Sequence, residues 1–236
     1  MIVYGRNPVH EAIRGPRTVK RVWASPGALR EPWLTPLAAV TRRADPEELE
    51  RICGSEGHQG VCAEVSAYRY AEAEALLAAP DALIVALDQV QDPQNLGAIA
   101  RTAECAGATG LILPERRSAE VTPAVCKASA GAAEHLPIAK IRNLADFLAV
   151  AKKGGLWCYG ADASARTSYR EIDYGGPTVL VLGSEGRGLR PRVAGACDGL
   201  VSIPLQGRID SLSVSAAAAV LIYAAAADRQ GNVQRA

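Results

Sequence analysis

The chain has 236 residues, 49% of them apolar, which is material for one large domain or two smaller ones with a substantial core. Its 26 basic and 25 acidic residues leave a formal net charge of +1, so it is neither a polycation nor a polyanion, and any nucleic-acid argument must rest on local clusters. Six cysteines without a C-x-x-C and three scattered histidines show no zinc-ligand spacing, so no metal is expected and free thiols in a reducing cytoplasm are the simplest reading.

The chain opens with a short expected strand at Ile2–Tyr4. Asn7-Pro8 then starts a helix, with Asn7 as N-cap and Pro8 at the first helical position, and Gly15 stops it. Val19–Ala24 alternates as a strand does, and Trp33–Thr41 has helical composition despite Pro36. Asp45-Pro46-Glu47-Glu48 is a strong helix start with carboxylates facing the dipole, and Gly60–Val65 closes the unit as a strand. Within residues 1–30, Arg6, Arg14, Arg17, Lys20, Arg21 and Arg30 stand against the single acid Glu11, a patch suited to phosphates or simply a solvated face.

Ala71–Ala79 is expected to be a short helix or linker, after which a regular alternation sets in. Strands are expected at Leu83–Leu87, Gly110–Leu113, Leu136–Ala139, Leu156–Tyr159, Val179–Leu182 and Leu200–Ile203. Helices are expected at Gln94–Ala106, Thr122–Ala132, Leu144–Lys152, Leu189–Ala196 and Leu212–Ala227. Such alternation argues for an α/β fold with a parallel sheet covered on both faces. Ser211–Ala227 is uncharged but short and rich in Ala and Ser, which fits a buried or interface helix better than a membrane span. No leader segment is expected.

Three segments carry chemistry. The first, Asp88 to Thr102, leaves an apolar strand and enters a helix, placing Asn95 in its first turn and Arg101 among Leu96, Ile99, Ala100 and Ala103. Arg101 there is either a snorkelling surface residue or a phosphate or carboxylate ligand. The second, Val179 to Leu189, runs a strand into a glycine-rich turn; its order G-x-x-G-x-G reverses the dinucleotide fingerprint. The third, Val201 to Ala216, ends a strand at Pro204 and gathers hydroxyls at a helix start, where Ser211 is a possible N-cap and free N–H groups face outward.

Taken in order, N-L-G-x-I-x-R-T-A, L-G-x-E-G-x-G-L and S-I-P-L-x-G-x-x-x-S-L-x-V-S-x-A resemble the three motifs of the SpoU (SPOUT superfamily) RNA ribose 2′-O-methyltransferases. Val3 to Ala12 and His58-Gln59-Gly60-Val61 resemble the extra RNA-binding domain of the branch that contains bacterial 23S rRNA guanosine 2′-O-methyltransferases. The resemblance implies an RNA substrate-binding domain over 1–68, a linker over 69–80 and a methyltransferase domain over 81–236 with a C-terminal trefoil knot. It further implies a cytoplasmic homodimer that moves a methyl group from S-adenosyl-L-methionine to a ribose 2′-hydroxyl, that of a guanosine in 23S rRNA, with no metal and no membrane.

By the same resemblance, Leu182, Gly183, Ile203, Leu205, Gly207 and Leu212 line the cofactor cleft. Asn95, Arg101, Glu185, Ser211 and Ser213 match catalytic or substrate-positioning residues, with Arg101 as base or as phosphate and alkoxide holder. Arg6, Asn7, Arg14, Arg17, Lys20 and Arg21 are expected to contact RNA. The sequence departs from the family's S-L-N-V-S at Ser213, which implies a bridging water, a slower enzyme or an altered substrate. The alternatives are a tRNA substrate, a non-catalytic RNA-binding or ribosome-assembly protein keeping the fold, and a dinucleotide oxidoreductase on an open sheet.

Overall fold

In the computed structural model, which describes residues 1–233, the chain builds two sheets. The first contains β1 (Ile2–Tyr4), β2 (Val19–Ala24), β3 (Thr41–Arg43) and β4 (Val61–Val65) in the order β1-β4-β2-β3. β4 is antiparallel to both β1 and β2, whereas β3 joins β2 in parallel. The pleat sends alternate residues to opposite faces. Val3, Val22 and Ala63 meet Val9 and Ala12 of α1 (Arg6–Arg14), while Cys62 and Trp23 meet Leu49 of α2 (Pro46–Cys53). The Asp45 carboxylate accepts from Glu48 N at 2.8 Å, and Gly54 ends α2 in the left-handed region. Asn7 caps nothing. Gly5, at φ 96°, precedes α1, and Asn7 lies within its first turn.

The second sheet follows α3 (Ala73–Leu77), whose Leu76 is buried on it. Its strands are β5 (Leu83–Asp88), β6 (Gly110–Pro114), β7 (Ile138–Ile141), β8 (Trp157–Ala161), β9 (Thr167–Ser168), β10 (Thr178–Gly183) and β11 (Gly199–Ser202). They lie in the order β7-β6-β5-β10-β8-β11-β9, all pairs parallel. β5 is buried along its whole length, which is why Leu83–Leu87 is a continuous apolar run. Ile84, Ala86, Val179 and Val181 face α6 (Leu144–Lys153) and α7 (Pro191–Ala194). Val85, Leu87, Leu180 and Leu182 face α4 (Pro93–Cys105), α5 (Pro123–Ala128) and α8 (Val214–Val233).

The two sheets share a core, because Val3 and Val9 belong to the same buried cluster as Leu96, Ile99 and Val125. The α4–α5 layer is therefore covered on both sides. Two expected helices are shorter than their sequences suggest, and the last one, α8, is shifted toward the C-terminus. Leu189 sits in the core and Pro191 starts only four helical residues. The Thr122–Ala132 stretch breaks into α5 and a separate 3₁₀ turn at Ala132–Glu134, and α8 begins at Val214.

Candidate active site

Strand order reverses between β5 and β10, and in open α/β sheets ligands bind at such switch points, beyond the carboxyl ends of the strands. Asp88 and Gly183 stand in register there, so the loops leaving both strands open onto one crevice. The loop after β10 folds back on itself: Ser184 and Gly188 exchange backbone hydrogen bonds of 3.2 and 3.0 Å. A Cβ on Gly183 would lie 2.1 Å from the Gly188 carbonyl carbon, so only glycine lets the strand end pack against the returning loop. Gly186 and Gly188 have φ of 75° and 63°, and a Cβ on either would meet no atom within 4 Å.

Two clefts adjoin this loop. The first is mostly apolar, walled by Leu182, Gly183, Ile203, Leu205 and Leu212, with Glu185 and Ser211 also on its surface. The second is polar and lined by Gln89, Gln91, Asp92, Asn95 and Arg187. Ser184, Glu185 and Val214 belong to both. Asn95 Nδ2 donates to Glu185 Oε1 at 2.9 Å, tying the first turn of α4 to the glycine loop. The turn is set by Asp92, which accepts from Gln94 N at 3.0 Å ahead of Pro93.

The structure thus gathers Asn95, Leu182, Gly183, Glu185, Ile203, Leu205, Ser211 and Leu212 at one crevice. Gly207 is exposed outside both clefts. Arg101 is also exposed on α4 and lines neither, although its apolar neighbours Leu96, Ile99, Ala100 and Ala103 are buried. Ser213, not Ser211, caps α8: its Oγ accepts from Ala216 N at 3.2 Å. Sequence reasoning passed over Asp88, although a carboxylate closing an apolar strand at a switch point is a readable signal. It also passed over Ala161, Ala163 and Ala217, small residues that complete the apolar wall and carry no motif.

In the first unit Arg6, Asn7, Arg14, Lys20 and Arg21 are exposed. Arg6 pairs with Glu31 at 3.1 Å, Arg14 with Glu11 at 3.3 Å and Lys20 with Glu64 at 3.9 Å. Arg17 is different and is not available to a phosphate. It is buried, its Nε donates to Glu134 Oε2 at 2.7 Å, and its Nη2 donates to Glu134 Oε1. Burial alone would lower its pKa, but the hydrogen bond and charge of Glu134 outweigh that and hold the guanidinium above its ordinary value. Among the described residues no group of His, Cys, Asp and Glu is arranged to hold a metal, and no helix is long and apolar enough to cross a membrane.

Residues 82–223 match the SpoU rRNA Methylase family, and residues 2–71 match the family described as RNA 2'-O ribose methyltransferase substrate binding. A Bacillus subtilis protein assigned to the TrmH family of tRNA/rRNA methyltransferases, YacO, is 38% identical over 94% of this chain and 93% of its own length. The AdoMet complex of the SpoU methyltransferase AviRb from Streptomyces viridochromogenes superposes with a TM-score of 0.82 at 26% identity, covering 98% of this chain and 91% of that one. An AdoMet-bound rRNA methyltransferase from Sinorhizobium meliloti gives 0.81 at 27% identity, covering 95% and 85%. A TrmH/SpoU tRNA modifying enzyme from A. aeolicus gives 0.60 at 30% identity and covers only 68% of this chain, against 82% of its own.

Proposed function

The chain belongs to the SpoU rRNA methylase family and is an S-adenosylmethionine-dependent RNA 2′-O-ribose methyltransferase, and from that premise we propose that its target is a guanosine of large-subunit rRNA in the cytoplasm. The observation that carries the choice of rRNA is the N-terminal unit. The Sinorhizobium meliloti rRNA methyltransferase covers 95% of the chain, this unit included, whereas the A. aeolicus tRNA modifying enzyme covers 68%. In this reading residues 1–68 select RNA, 69–80 connect, and 81–236 hold the chemistry on a trefoil-knotted domain; residues 234–236 lie outside those described. Mapping ribose methylation in cells with and without the gene tests the choice. One rRNA guanosine should lose its methyl group; a loss confined to tRNA would overturn it.

The apolar cleft fits the cofactor. Leu182, Ile203, Leu205 and Leu212 offer apolar walls, and the open faces of Gly186 and Gly188 let a ligand approach the backbone closely. When bound, S-adenosylmethionine supplies an electrophilic sulfonium methyl. The chain's own residues then have to place a ribose oxygen beside it, and orientation of this kind removes a large entropic barrier. Asn95 and Glu185, joined by their hydrogen bond, are suited to hold the ribose, with Ser211 on the apolar cleft that Glu185 also lines.

Four large apolar side chains, Leu205, Ile209, Leu212 and Tyr223, are exposed on the loop before α8 and on α8 itself. Such a surface supports the homodimer, and in this reading Arg101, which is exposed and lines neither cleft of its own chain, serves the site of the second copy. The planar fork of a guanidinium matches oxygen anions, so Arg101 is read as the holder of a phosphate and of the developing alkoxide. Arg101→Ala should lower methyl transfer by about 100-fold or more while cofactor affinity in titration calorimetry stays unchanged. Near-normal turnover would remove Arg101 from the site.

A further inference from the structure

We propose that Asp88 and Arg190 form a positioning pair that holds the glycine loop closed and couples the cofactor cleft to the ribose cleft. The Asp88 side chain is 0% exposed and Arg190 is 44% exposed, so the carboxylate is fixed in the sheet and the arginine reaches in from the surface. Asp88 Oδ2 accepts from Arg190 N at 2.9 Å, while Oδ1 accepts from Nε at 2.8 Å and faces Nη2 at 2.7 Å. Both carboxylate oxygens are therefore committed to one residue, through its backbone and its planar fork.

Position gives the pair its meaning. Asp88 is the last residue of β5, opposite Gly183, the last residue of β10. Arg190 is where the loop from Ser184 lands, one residue before α7. The loop is thus held at three places: by its own Ser184–Gly188 bridge, at its tip by Glu185 on Asn95, and at its base by Asp88 on Arg190. The backbone after Asp88 turns at Gln89, with φ of 63°, and Gln89 and Gln91 line the polar cleft. One carboxylate therefore sits between the loop that walls the cofactor cleft and the loop that walls the ribose cleft. Without it the base of the glycine loop is free to swing, which disturbs the apolar wall and the Glu185–Asn95 contact together.

This inference rests on the apolar cleft taking the cofactor and the polar cleft the ribose. The test uses the full chain with Asp88→Asn, Arg190→Ala, Arg190→Lys and the double variant Asp88→Asn/Arg190→Ala. Three readouts are S-adenosylmethionine affinity by calorimetry, kcat and KM for RNA, and hydrogen exchange of the Ser184–Gly188 amides. Asp88→Asn and Arg190→Ala should each weaken cofactor binding by about tenfold. Both should speed exchange in the loop and lower kcat while KM for RNA stays within about twofold of wild type. Arg190→Lys should keep most of the activity, and the double variant should be no worse than the more severe single one, because each change breaks the same carboxylate–guanidinium contact. Additive losses, or unchanged loop exchange in both single variants, would overturn the pair. If Asp88→Asn fails to fold, the Arg190 variants alone decide, since that side chain is half exposed. Failure of the wild type to bind the cofactor would instead sink the cleft assignment, and loop exchange would still decide on the pair.

Discussion

Ser213 stands where the related motif has Asn, and its hydrogen bonds say what the position does in this chain. The hydroxyl accepts from Ala216 N at 3.2 Å while Ser213 O accepts from Ala217 N at 3.0 Å, which makes it the N-cap of α8. Asn and Ser are almost equally good caps, so the exchange preserves the helix start. Ser213→Ala should cost about 1 kcal/mol in chemical denaturation, and Ser213→Asn only a few tenths. Methyl transfer by Ser213→Asn should stay within about twofold of wild type; a gain of tenfold would assign the amide a role in the reaction beyond capping. The cysteines give a second expectation. Burial pushes the thiols of Cys62 and Cys158 up to about 12 and those of Cys126 and Cys197 up to about 11. An unfolded thiol loses its proton from pH about 9, before the folded one does, so the unfolded state gains and stability falls as pH rises from there. Denaturant midpoints should be level between pH 7 and 8 and lower at pH 10; a rise at pH 10 would contradict the burial of these groups.

At the scale of elements, α4 matters most because it carries both Asn95 and Arg101. Its place is set by Gly97, where a Cβ would come 2.4 Å from Ala128 Cβ and 2.9 Å from Ser129 N at the seam with α5. Gly97→Ala should force the helices apart, costing about 1–3 kcal/mol, and should also lower kcat by shifting Asn95. A variant with unaltered denaturation midpoint and turnover would show that the seam has slack. α4 was legible in the sequence because Asp92-Pro93 marks its start and a 3.6-residue apolar pattern follows. β5 and β10 were legible because buried parallel strands are plain apolar runs. β3 and β9, of three and two residues, carry too little pattern to stand out, and Pro36 lies within a 3₁₀ helix that period alone does not separate from an α-helix. The crevice was legible as three motifs in order. Its bracing was not: Asp88 closes a readable apolar strand, but Arg190 lies 102 residues on and nothing local links the two.

For the whole molecule, the Arg17–Glu134 pair decides how the N-terminal unit sits on the rest. The two residues are 117 apart in sequence, and both are buried where the first unit meets the 3₁₀ turn after α5. Charge clustering placed Arg17 with the phosphate contacts, because a run of arginines in sequence does not reveal which one finds a carboxylate in the interior. Arg17 also lies over the Tyr68 ring at 5.8 Å, and His135 Nε2 stands 2.7 Å from Glu11 Oε2 beside it. With the shared apolar core, these contacts make the RNA-selecting unit and the crevice one packed body, so deleting residues 1–70 would expose a core face rather than release a separate module. Point variants are the sounder probe. Arg17→Met alone leaves the Glu134 carboxylate buried without its partner and should cost about 3–5 kcal/mol, whereas Arg17→Met/Glu134→Leu should recover most of that loss. The double variant should bind RNA with an unchanged salt dependence, because Arg17 meets no phosphate. Lys20→Ala and Arg21→Ala should instead leave stability within about 0.5 kcal/mol and make log affinity against log salt shallower by about 1 for each phosphate no longer neutralised. If the Arg17 double variant flattened that slope as much as Lys20→Ala, the buried pair would have to open on RNA, and the packed body would be only the resting form.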